Sequence, residues 1–169
     1  MTSLDDLLDA NTRYAAAFTG TGLPGRAAKG LAMVTCMDSR IDPLGMVGLS
    51  KGDAKILRNA GGRVTDDVLR TLVLAVHLLG VDRVLVVQHT DCRMTKVTDE
   101  QAHRAILESS GVDTRSLDFH TIPDQQEGLR RDVERVRHSP YLPDDLLVAG
   151  GIYDVTTGRL EILIQPGPR

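Results

Sequence analysis

Short apolar runs alternate with longer amphipathic segments along most of this 169-residue chain. The apolar runs are rich in aliphatic and β-branched residues and are too short for ordinary helices, so they predict buried strands. We expect these strands at 31–36, 54–57, 84–87, 146–153 and 160–164. Between them, apolar residues recur at the spacing of one helix face, which predicts helices. We expect these helices at 3–18, 65–79, 99–109 and 125–138.

The order of these elements predicts the fold class. Because helices alternate with strands, we expect an α/β domain with a mostly parallel central sheet of four strands, flanked by helices. The turn-forming sequence Thr156-Thr157-Gly158 joins the last two strands as a hairpin, which adds one antiparallel edge strand. Residues 20–25 are rich in Gly and cannot continue the first helix, so segment 1–25 is expected to form an N-terminal helix followed by an arm. The length suits a single domain, 1–169, with one core.

Composition and charge argue against several classes of function. A net charge of −3, 3% aromatic residues and no Trp offer neither a basic surface nor a stacking platform, so we expect no nucleic-acid partner. No apolar run approaches the ~18 residues that span a bilayer, and the acidic start of the chain does not resemble a signal peptide. We therefore expect a cytoplasmic protein with no membrane partner. In the cytoplasm, the two cysteines are expected to bind a metal, act in catalysis or lie buried, rather than to form a disulfide.

Chemically active side chains stand at the ends of three predicted strands. Cys36 ends the first strand, Arg58-Asn59-Ala60-Gly61-Gly62 follows the second, and His89 follows the third. In open α/β sheets, ligands bind at the carboxyl ends of the strands. Three loops that are distant in sequence are therefore expected to converge on one site.

Cys36, His89 and Cys92 are candidate zinc ligands. Zinc prefers Cys sulfur and His nitrogen in tetrahedral geometry, and catalytic sites keep one of the four positions open. His89 and Cys92 are three residues apart, so both can reach one ion. The fourth position would be taken by water or by Asp38. If water occupies it, the Asp38 carboxylate could orient that water and help to receive its proton, while Arg40 holds the carboxylate in a bidentate pair.

Other interpretations of the same residues stay open. A single Cys or His is more often part of the core than a metal ligand. A closed structural zinc site would normally show four Cys or His ligands, whereas these motifs supply three. The segment Arg58-Asn59-Ala60-Gly61-Gly62 could be only a turn that ends a strand, since paired glycines permit backbone conformations that other residues avoid. A thiol redox function is disfavoured because Cys36 and Cys92 do not form a Cys-x-x-Cys pair.

Three motifs together resemble the β-class carbonic anhydrases. They are Cys36-Met37-Asp38-Ser39-Arg40, Arg58-Asn59-Ala60-Gly61-Gly62 and His89-Thr90-Asp91-Cys92, and their order and separation agree with that family. Segment 148–158 also looks like the family's closing hairpin. The resemblance covers nearly the whole chain, from Leu4 to Leu163. The short chain and the His-Thr-Asp-Cys motif look most like a compact bacterial branch that also contains carbonyl sulfide hydrolases.

The resemblance implies an activity and a set of site residues. The family catalyses the zinc-dependent, reversible hydration of carbon dioxide to bicarbonate and a proton. It implies zinc (Zn²⁺) bound by Cys36, His89 and Cys92, and a catalytic pair of Asp38 and Arg40. In members with an open site, water takes the fourth position on zinc, whereas in closed members Asp38 takes it and blocks catalysis. The resemblance also implies a homodimer or a dimer of dimers, in which the N-terminal helix packs on the partner subunit.

Two features depart from the family pattern. Arg93 stands where the family usually has Gly after the second zinc-binding Cys, so the ligand loop could follow another path or carry a cation near the site. Because the chain has no Trp, it cannot form the Trp-containing bicarbonate site that locks some bacterial members closed, which favours an open site. Two other functions stay open on the same scaffold. They are hydrolysis of carbonyl sulfide, and zinc binding without catalysis.

Overall fold

The computed structural model describes residues 3–20 and 22–168. Four α-helices lie in this part of the chain: α1 (Asp5–Ala16), α2 (Asp66–Leu79), α3 (Asp99–Ser110) and α4 (Gln125–Arg137). Five strands form its sheet: β1 (Leu31–Cys36), β2 (Ala54–Asn59), β3 (Arg83–His89), β4 (Leu147–Tyr153) and β5 (Leu160–Gly167). Short 3₁₀ turns occur at Gly45–Val47, Ala60–Gly62 and Arg93–Thr95. Among the described residues, no helix has the length and apolar composition that crossing a membrane requires.

The sheet has the strand order β2-β1-β3-β4-β5. The first four strands in this order pair in parallel, and β5 pairs antiparallel with β4. This arrangement confirms the predicted α/β fold with its antiparallel edge strand. Cys36 at the end of β1 lies beside Asn59 at the end of β2, and His89 at the end of β3 lies beside Tyr153. The carboxyl ends of the four parallel strands therefore meet at one edge of the sheet.

The main hydrophobic core lies between one face of the sheet and helices α2 and α4. Leu72 of α2 and Leu129 of α4 are fully buried there, as are Val34 of β1 and Val86 of β3. Burying an aliphatic side chain of this size stabilises the fold by roughly 1.5–3 kcal/mol. The core therefore fixes β1 and β3 side by side, and these are the two strands that end in Cys36 and His89.

The observed elements differ from the predicted ones mainly at their ends. β2 continues beyond the predicted 54–57 to Asn59, because its parallel register with β1 continues to Cys36. β5 continues beyond the predicted 160–164, because Gly167 pairs with Val148. α1 is shorter than the predicted 3–18, and residues 1, 2 and 21 of the predicted arm lie outside the described residues.

Helix α1 is weakly attached to the rest of this chain. It contains no buried residue, and Leu7 and Leu8 remain 59% and 63% exposed. The Lys51 ammonium donates a hydrogen bond to the Tyr14 hydroxyl at 2.6 Å and lies over the rings of Tyr14 and Phe18. The apolar residues of α1 therefore have little to pack against within one chain.

Candidate metal centre and catalytic site

Three buried side chains converge at the carboxyl edge of the sheet. Cys36 is the last residue of β1, His89 is the last residue of β3, and Cys92 immediately precedes the 3₁₀ turn that follows. Because β1 and β3 are neighbours in the sheet, their ends lie side by side. The ligand atoms of the three residues, two sulfurs and one ring nitrogen, all lie within 4.8 Å of one another. The structure thus brings together the three ligands that the sequence predicts.

One buried nitrogen in this cluster has no hydrogen-bond partner. His89 Nδ1 lies 2.8 Å from the Thr90 carbonyl oxygen, so Nδ1 carries the proton and donates it, which leaves a lone pair on Nε2. Nε2 is buried and makes no hydrogen bond with any described residue. A buried polar atom without a partner is costly, and metal binding would remove that cost. Two sulfurs and one imidazole nitrogen are also a donor set that zinc prefers, so these residues fit a zinc ion.

The two thiols and the imidazole influence each other's protonation. A hydrogen bond with Cys92 lowers the pKa of Cys36, and the same contact raises the pKa of Cys92. Burial opposes protonation of the His89 ring, but the nearby negative charges of Cys36 and Asp38 favour it, and the pKa of His89 is raised. Cys36 is therefore the more acidic of the two thiols, and a metal that binds here would have to displace the remaining protons.

Asp38 and Arg40 form a bidentate pair beside the three ligands. Arg40 Nε donates to Asp38 Oδ1 at 2.9 Å, and Arg40 Nη2 donates to Asp38 Oδ2 at 2.8 Å. These bonds, with a further one from the Arg40 backbone N–H, hold the pKa of the Asp38 carboxyl well below its usual range. Asp38 Oδ2 also lies 3.9 Å from His89 Nε2. The carboxylate is therefore ionised at neutral pH, close to the ligand atoms, and bound to Arg40.

The segment Arg58–Gly62 contacts the metal-binding motif directly. Arg58 donates hydrogen bonds to the carbonyl oxygens of Cys36 and Asp38, at 2.9 Å and 2.6 Å. The Gly61 N–H donates to Cys36 Sγ at 3.3 Å, which stabilises a thiolate there. The Asn59 side chain instead closes the local turn on the backbone of Arg63. This segment is therefore both a turn that ends a strand and a support for Cys36.

Sequence reasoning missed two residues of the site. Asp91, between His89 and Cys92, binds Arg40, and its other carboxylate oxygen binds Lys96. Asp91 has a φ of 57°, which Asp tolerates better than most residues because its short polar side chain fits left-handed turns. The sequence signal for Asp91 was its place between the two ligands, and no comparable signal marks Lys96.

Arg93 does not disturb the ligand loop. Positive φ among the described residues other than Gly occurs only at Asp91 and His120, so the Arg93 backbone does not require Gly. Its side chain is exposed and makes no hydrogen bond or ion pair with the described part of the chain. Cys92 still lies with the other two candidate ligands, so Arg93 at this position leaves their arrangement intact.

The sequence is similar to that of known carbonic anhydrases and of a carbon disulfide hydrolase. A family model described as "Carbonic anhydrase" matches residues 31–160. "Beta-carbonic anhydrase 1" of Mycobacterium tuberculosis is 38% identical over 161 residues, which covers 95% of this chain and 98% of that protein. A "Carbon disulfide hydrolase" of Acidithiobacillus thiooxidans is 31% identical, with 83% of this chain and 79% of that protein covered.

Solved structures include close matches to the whole fold. A carbonic anhydrase from Streptococcus mutans superposes with a TM-score of 0.89 at 39% identity, covering 96% of this chain and 98% of that chain. The carbonic anhydrase from Glaciozyma antarctica superposes with a TM-score of 0.83 at 37% identity, covering 95% and 99%. These structures match nearly the full length of the chain.

Proposed function

The chain belongs to the β-carbonic anhydrase family, and from this membership we propose that it catalyses the zinc-dependent, reversible hydration of carbon dioxide to bicarbonate and a proton. The observation that carries the proposal is the convergence of Cys36, His89 and Cys92 within 4.8 Å. The ionised Asp38 beside them adds a hydrogen-bond acceptor where a reacting water would lie.

In the proposed site, Cys36, His89 and Cys92 would hold zinc, which would lower the pKa of a water molecule and so supply a nucleophile near neutral pH. The two thiolates donate more negative charge than imidazoles would, so they weaken this acidification relative to a site of three histidines. Asp38 offsets that loss by accepting a hydrogen bond from the reacting water.

Asp38 and Arg40 orient the reaction. Because Arg40 stabilises the ionised form of Asp38, the carboxylate stays an acceptor throughout the neutral range and directs an oxygen lone pair toward carbon dioxide. The new oxygen–carbon bond forms as one C=O electron pair moves onto its oxygen, which yields bicarbonate once the water proton has left. That proton passes to buffer, and another water replaces bicarbonate.

A stopped-flow assay of carbon dioxide hydration by the zinc-loaded protein tests the proposal. We expect a rate above that of buffer across about pH 7 to 9, where a zinc-acidified water ionises. His89→Ala and Cys92→Ser should lose both zinc and activity. Arg104→Gln, which breaks only the exposed pair with Glu100 on α3, should keep both. A zinc-loaded protein with no rate above buffer would refute the proposed activity.

A second candidate substrate is a linear sulfur analogue of carbon dioxide. One relative, 31% identical to this chain, is named a carbon disulfide hydrolase. That name is the reason to test sulfur analogues of carbon dioxide as substrates. The same Asp38 and ligand residues would serve carbonyl sulfide or carbon disulfide, so the zinc site does not discriminate between these substrates. Release of hydrogen sulfide from either compound, compared with the carbon dioxide rate of the same sample, would identify the preferred substrate.

A catalytically silent zinc protein is the remaining alternative. Its motivation is Arg93, which follows Cys92 and whose exposed cation makes no ion pair with the described residues. If Arg93 blocks catalysis, Arg93→Gly should gain carbon dioxide hydration that the unmodified protein lacks. We expect instead that both proteins are active, because Arg93 leaves the three ligands in place.

We also propose that the domain, 1–169, works as a homodimer or a dimer of dimers, with arm 1–25 packed on the partner subunit. Two uncovered apolar surfaces support this. They are the exposed leucines of α1 and a cavity of about 400 Å³ on the second face of the sheet, lined by Leu85 and Leu147 among others. Sedimentation analysis should give a dimer or tetramer, and Leu8→Asp should shift it toward monomer. The neighbouring exposed change Asp9→Ala should not.

We also propose that the protein is located in the cytoplasm. Cys36 and Cys92 are both free and buried, and thiolate ligands persist best in a reducing compartment. Cell fractionation of the native source should place the protein with cytoplasmic markers. Recovery with exported proteins would contradict this location.

A further inference from the structure

Arg40 binds two carboxylates rather than one. Besides its bonds to Asp38, it donates from Nη1 to Asp91 Oδ2 at 2.9 Å and from Nη2 to the Asp91 carbonyl oxygen at 3.3 Å. The other carboxylate oxygen of Asp91 binds the Lys96 ammonium. All three guanidinium nitrogens of Arg40 therefore have acceptors in the protein. Charges alternate along the series Asp38, Arg40, Asp91 and Lys96, so each member is attracted to its neighbours.

The backbone around Asp91 is held by contacts that do not involve the Asp91 side chain. The Thr90 N–H donates to the Tyr153 carbonyl oxygen at 2.9 Å, and the Val155 N–H donates to the Thr90 hydroxyl at 3.1 Å. The left-handed φ of 57° at Asp91 also suits Asn. The carboxylate charge can therefore be removed while the ligand loop keeps its path.

Asp38 has two competing attractions. Its Oδ2 atom lies only 3.9 Å from His89 Nε2, so a divalent cation at the three ligands would attract it. Arg40 attracts the same carboxylate away from the ligands, through two bonds of 2.9 Å and 2.8 Å. The Arg40 side chain is 44% exposed, so it has room to move unless something else fixes it. Asp91 supplies that second attachment, and Lys96 fixes Asp91 in turn.

We propose that Asp91, supported by Lys96, is a positioning residue that fixes Arg40 and thereby keeps Asp38 off the metal. The proposal rests on the proposed function, in that it places zinc at Cys36, His89 and Cys92. Asp91 acts through Arg40 and does not contact the reacting atoms. Loss of its charge frees Arg40, and part of the population then has Asp38 in the fourth coordination position, where water cannot enter.

The test is Asp91→Asn in the full-length, cobalt-loaded and zinc-loaded protein. Azide competes for the fourth coordination position, and cobalt reports its binding by a change in the visible spectrum. We expect azide to bind cobalt-loaded Asp91→Asn roughly three- to tenfold more weakly than the cobalt-loaded parent, as suits a network of exposed charges. For carbon dioxide hydration by the zinc forms, kcat should fall by a similar factor with KM little changed. Sites with Asp38 on the metal do not react, so kcat falls. The remaining open sites are unchanged, so KM stays nearly the same.

Two further variants make the result specific. Lys96 lies outside segment 89–92, which carries two of the proposed ligands. Lys96→Gln should also weaken azide binding, by a smaller factor than Asp91→Asn. Asp67→Asn removes the exposed pair with Arg70 on α2, away from the site, and should change neither azide affinity nor kcat. Metal content measured first ensures that loaded proteins are compared.

The outcomes separate this proposal from the proposed function. Unchanged azide affinity in both Asp91→Asn and Lys96→Gln would overturn the role of Asp91, as would a crystal structure of zinc-loaded Asp91→Asn with Asp38 fully on Arg40. A crystal structure with Asp38 on the metal in that variant would support it. If the parent protein fails to hydrate carbon dioxide, the proposed function fails. The azide titration and the position of Asp38 still decide the role of Asp91.

Discussion

At the scale of single residues, Gly62 packs against the backbone of the two strands that carry Cys36 and His89. A Cβ added at Gly62 would lie 2.9 Å from the Val87 carbonyl oxygen and 3.0 Å from the Thr35 carbonyl carbon, and φ is 65°. Because these are backbone atoms, they can make room for a Cβ only if β1 or β3 shifts. We therefore expect Gly62→Ala to lower the free energy of unfolding by roughly 2–4 kcal/mol, from overpacking and left-handed strain together.

Gly48 provides a matched control for this prediction. Its φ is 68°, but no non-neighbouring atom of the described residues lies within 4 Å of an added Cβ. Gly48→Ala should therefore show only the strain, roughly 1 kcal/mol. Urea denaturation of both variants measures the difference. If Gly62→Ala loses no more stability than Gly48→Ala, the close approach of the turn to β1 and β3 is not what requires glycine.

The candidate ligands could be predicted from the residue types at the strand ends. The contacts of Arg40 could not be predicted in this way. Cys36 and His89 could be placed because each ends a short apolar run, and parallel strand ends share an edge. Asp91, which accepts a hydrogen bond from Arg40, has a left-handed backbone with a φ of 57°. A pattern of apolar and polar residues does not specify that torsion angle, so this part of the site emerged only from the structure.

At the scale of elements, the first turn of α3 anchors a distant irregular segment. The Asp99 carboxylate accepts hydrogen bonds from the Phe119 N–H at 2.8 Å, the Thr121 N–H at 3.0 Å and the Thr121 hydroxyl at 2.5 Å. We expect Asp99→Ala to lower the free energy of unfolding by roughly 1.5–3 kcal/mol at pH 7, the usual range for hydrogen bonds to a charged group. Asp99→Asn keeps an acceptor of the same shape and should lose less.

The effect of Asp99 has a definite pH dependence. Burial raises the pKa of this carboxyl, but the hydrogen bonds from Thr121 and Phe119 outweigh burial and hold it well below its usual range. The ionised form therefore favours the folded state, and its contribution is full above the unfolded pKa of about 3.9. Urea denaturation should show a constant gap between parent and Asp99→Ala at pH 5 to 7, narrowing as the pH falls below about 4. A gap that widens on acidification would contradict the assignment.

Periodicity identified the elements better than it identified their ends. The runs at 54–57 and 160–164 stop where apolar residues stop, but hydrogen bonding continues through Asn59 and Gly167. Backbone pairing with a neighbouring strand, rather than side-chain polarity, decides where a strand ends. The two polar residues added to β2, Arg58 and Asn59, also hold the site motif and close its turn.

At the scale of the whole molecule, the apolar pattern predicted the amphipathic character of α1, whereas its packing on a partner subunit was implied only by the family resemblance and stays a prediction. The pattern of apolar residues specifies which residues of α1 share a face, but it does not specify which surface covers that face. Leu7 and Leu8 are exposed in the single chain. By contrast, the faces of α2 and α4 that bear Leu72 and Leu129 are covered by the sheet of the same chain.

Zinc is expected to stabilise the whole domain because its three proposed ligands come from two strands of the sheet and the turn after β3. A ligand that binds only the folded state, present at 1,000 times its Kd, adds about 4 kcal/mol. For a domain of this size that corresponds to a rise in Tm of roughly 10 °C. The rise should be larger at pH 8 than at pH 6, because zinc must displace the remaining thiol proton and the pKa of Cys92 is raised.

Thermal unfolding with excess zinc and with excess chelator, at both pH values, measures this stabilisation. His89→Ala removes one ligand and should make Tm insensitive to zinc, which separates specific binding from nonspecific effects of the ion. If the parent protein and His89→Ala respond equally to zinc, the stabilisation arises elsewhere than at the three residues. If the parent responds more strongly at pH 6 than at pH 8, zinc does not compete with a proton for Cys92, and this thiol is not its ligand.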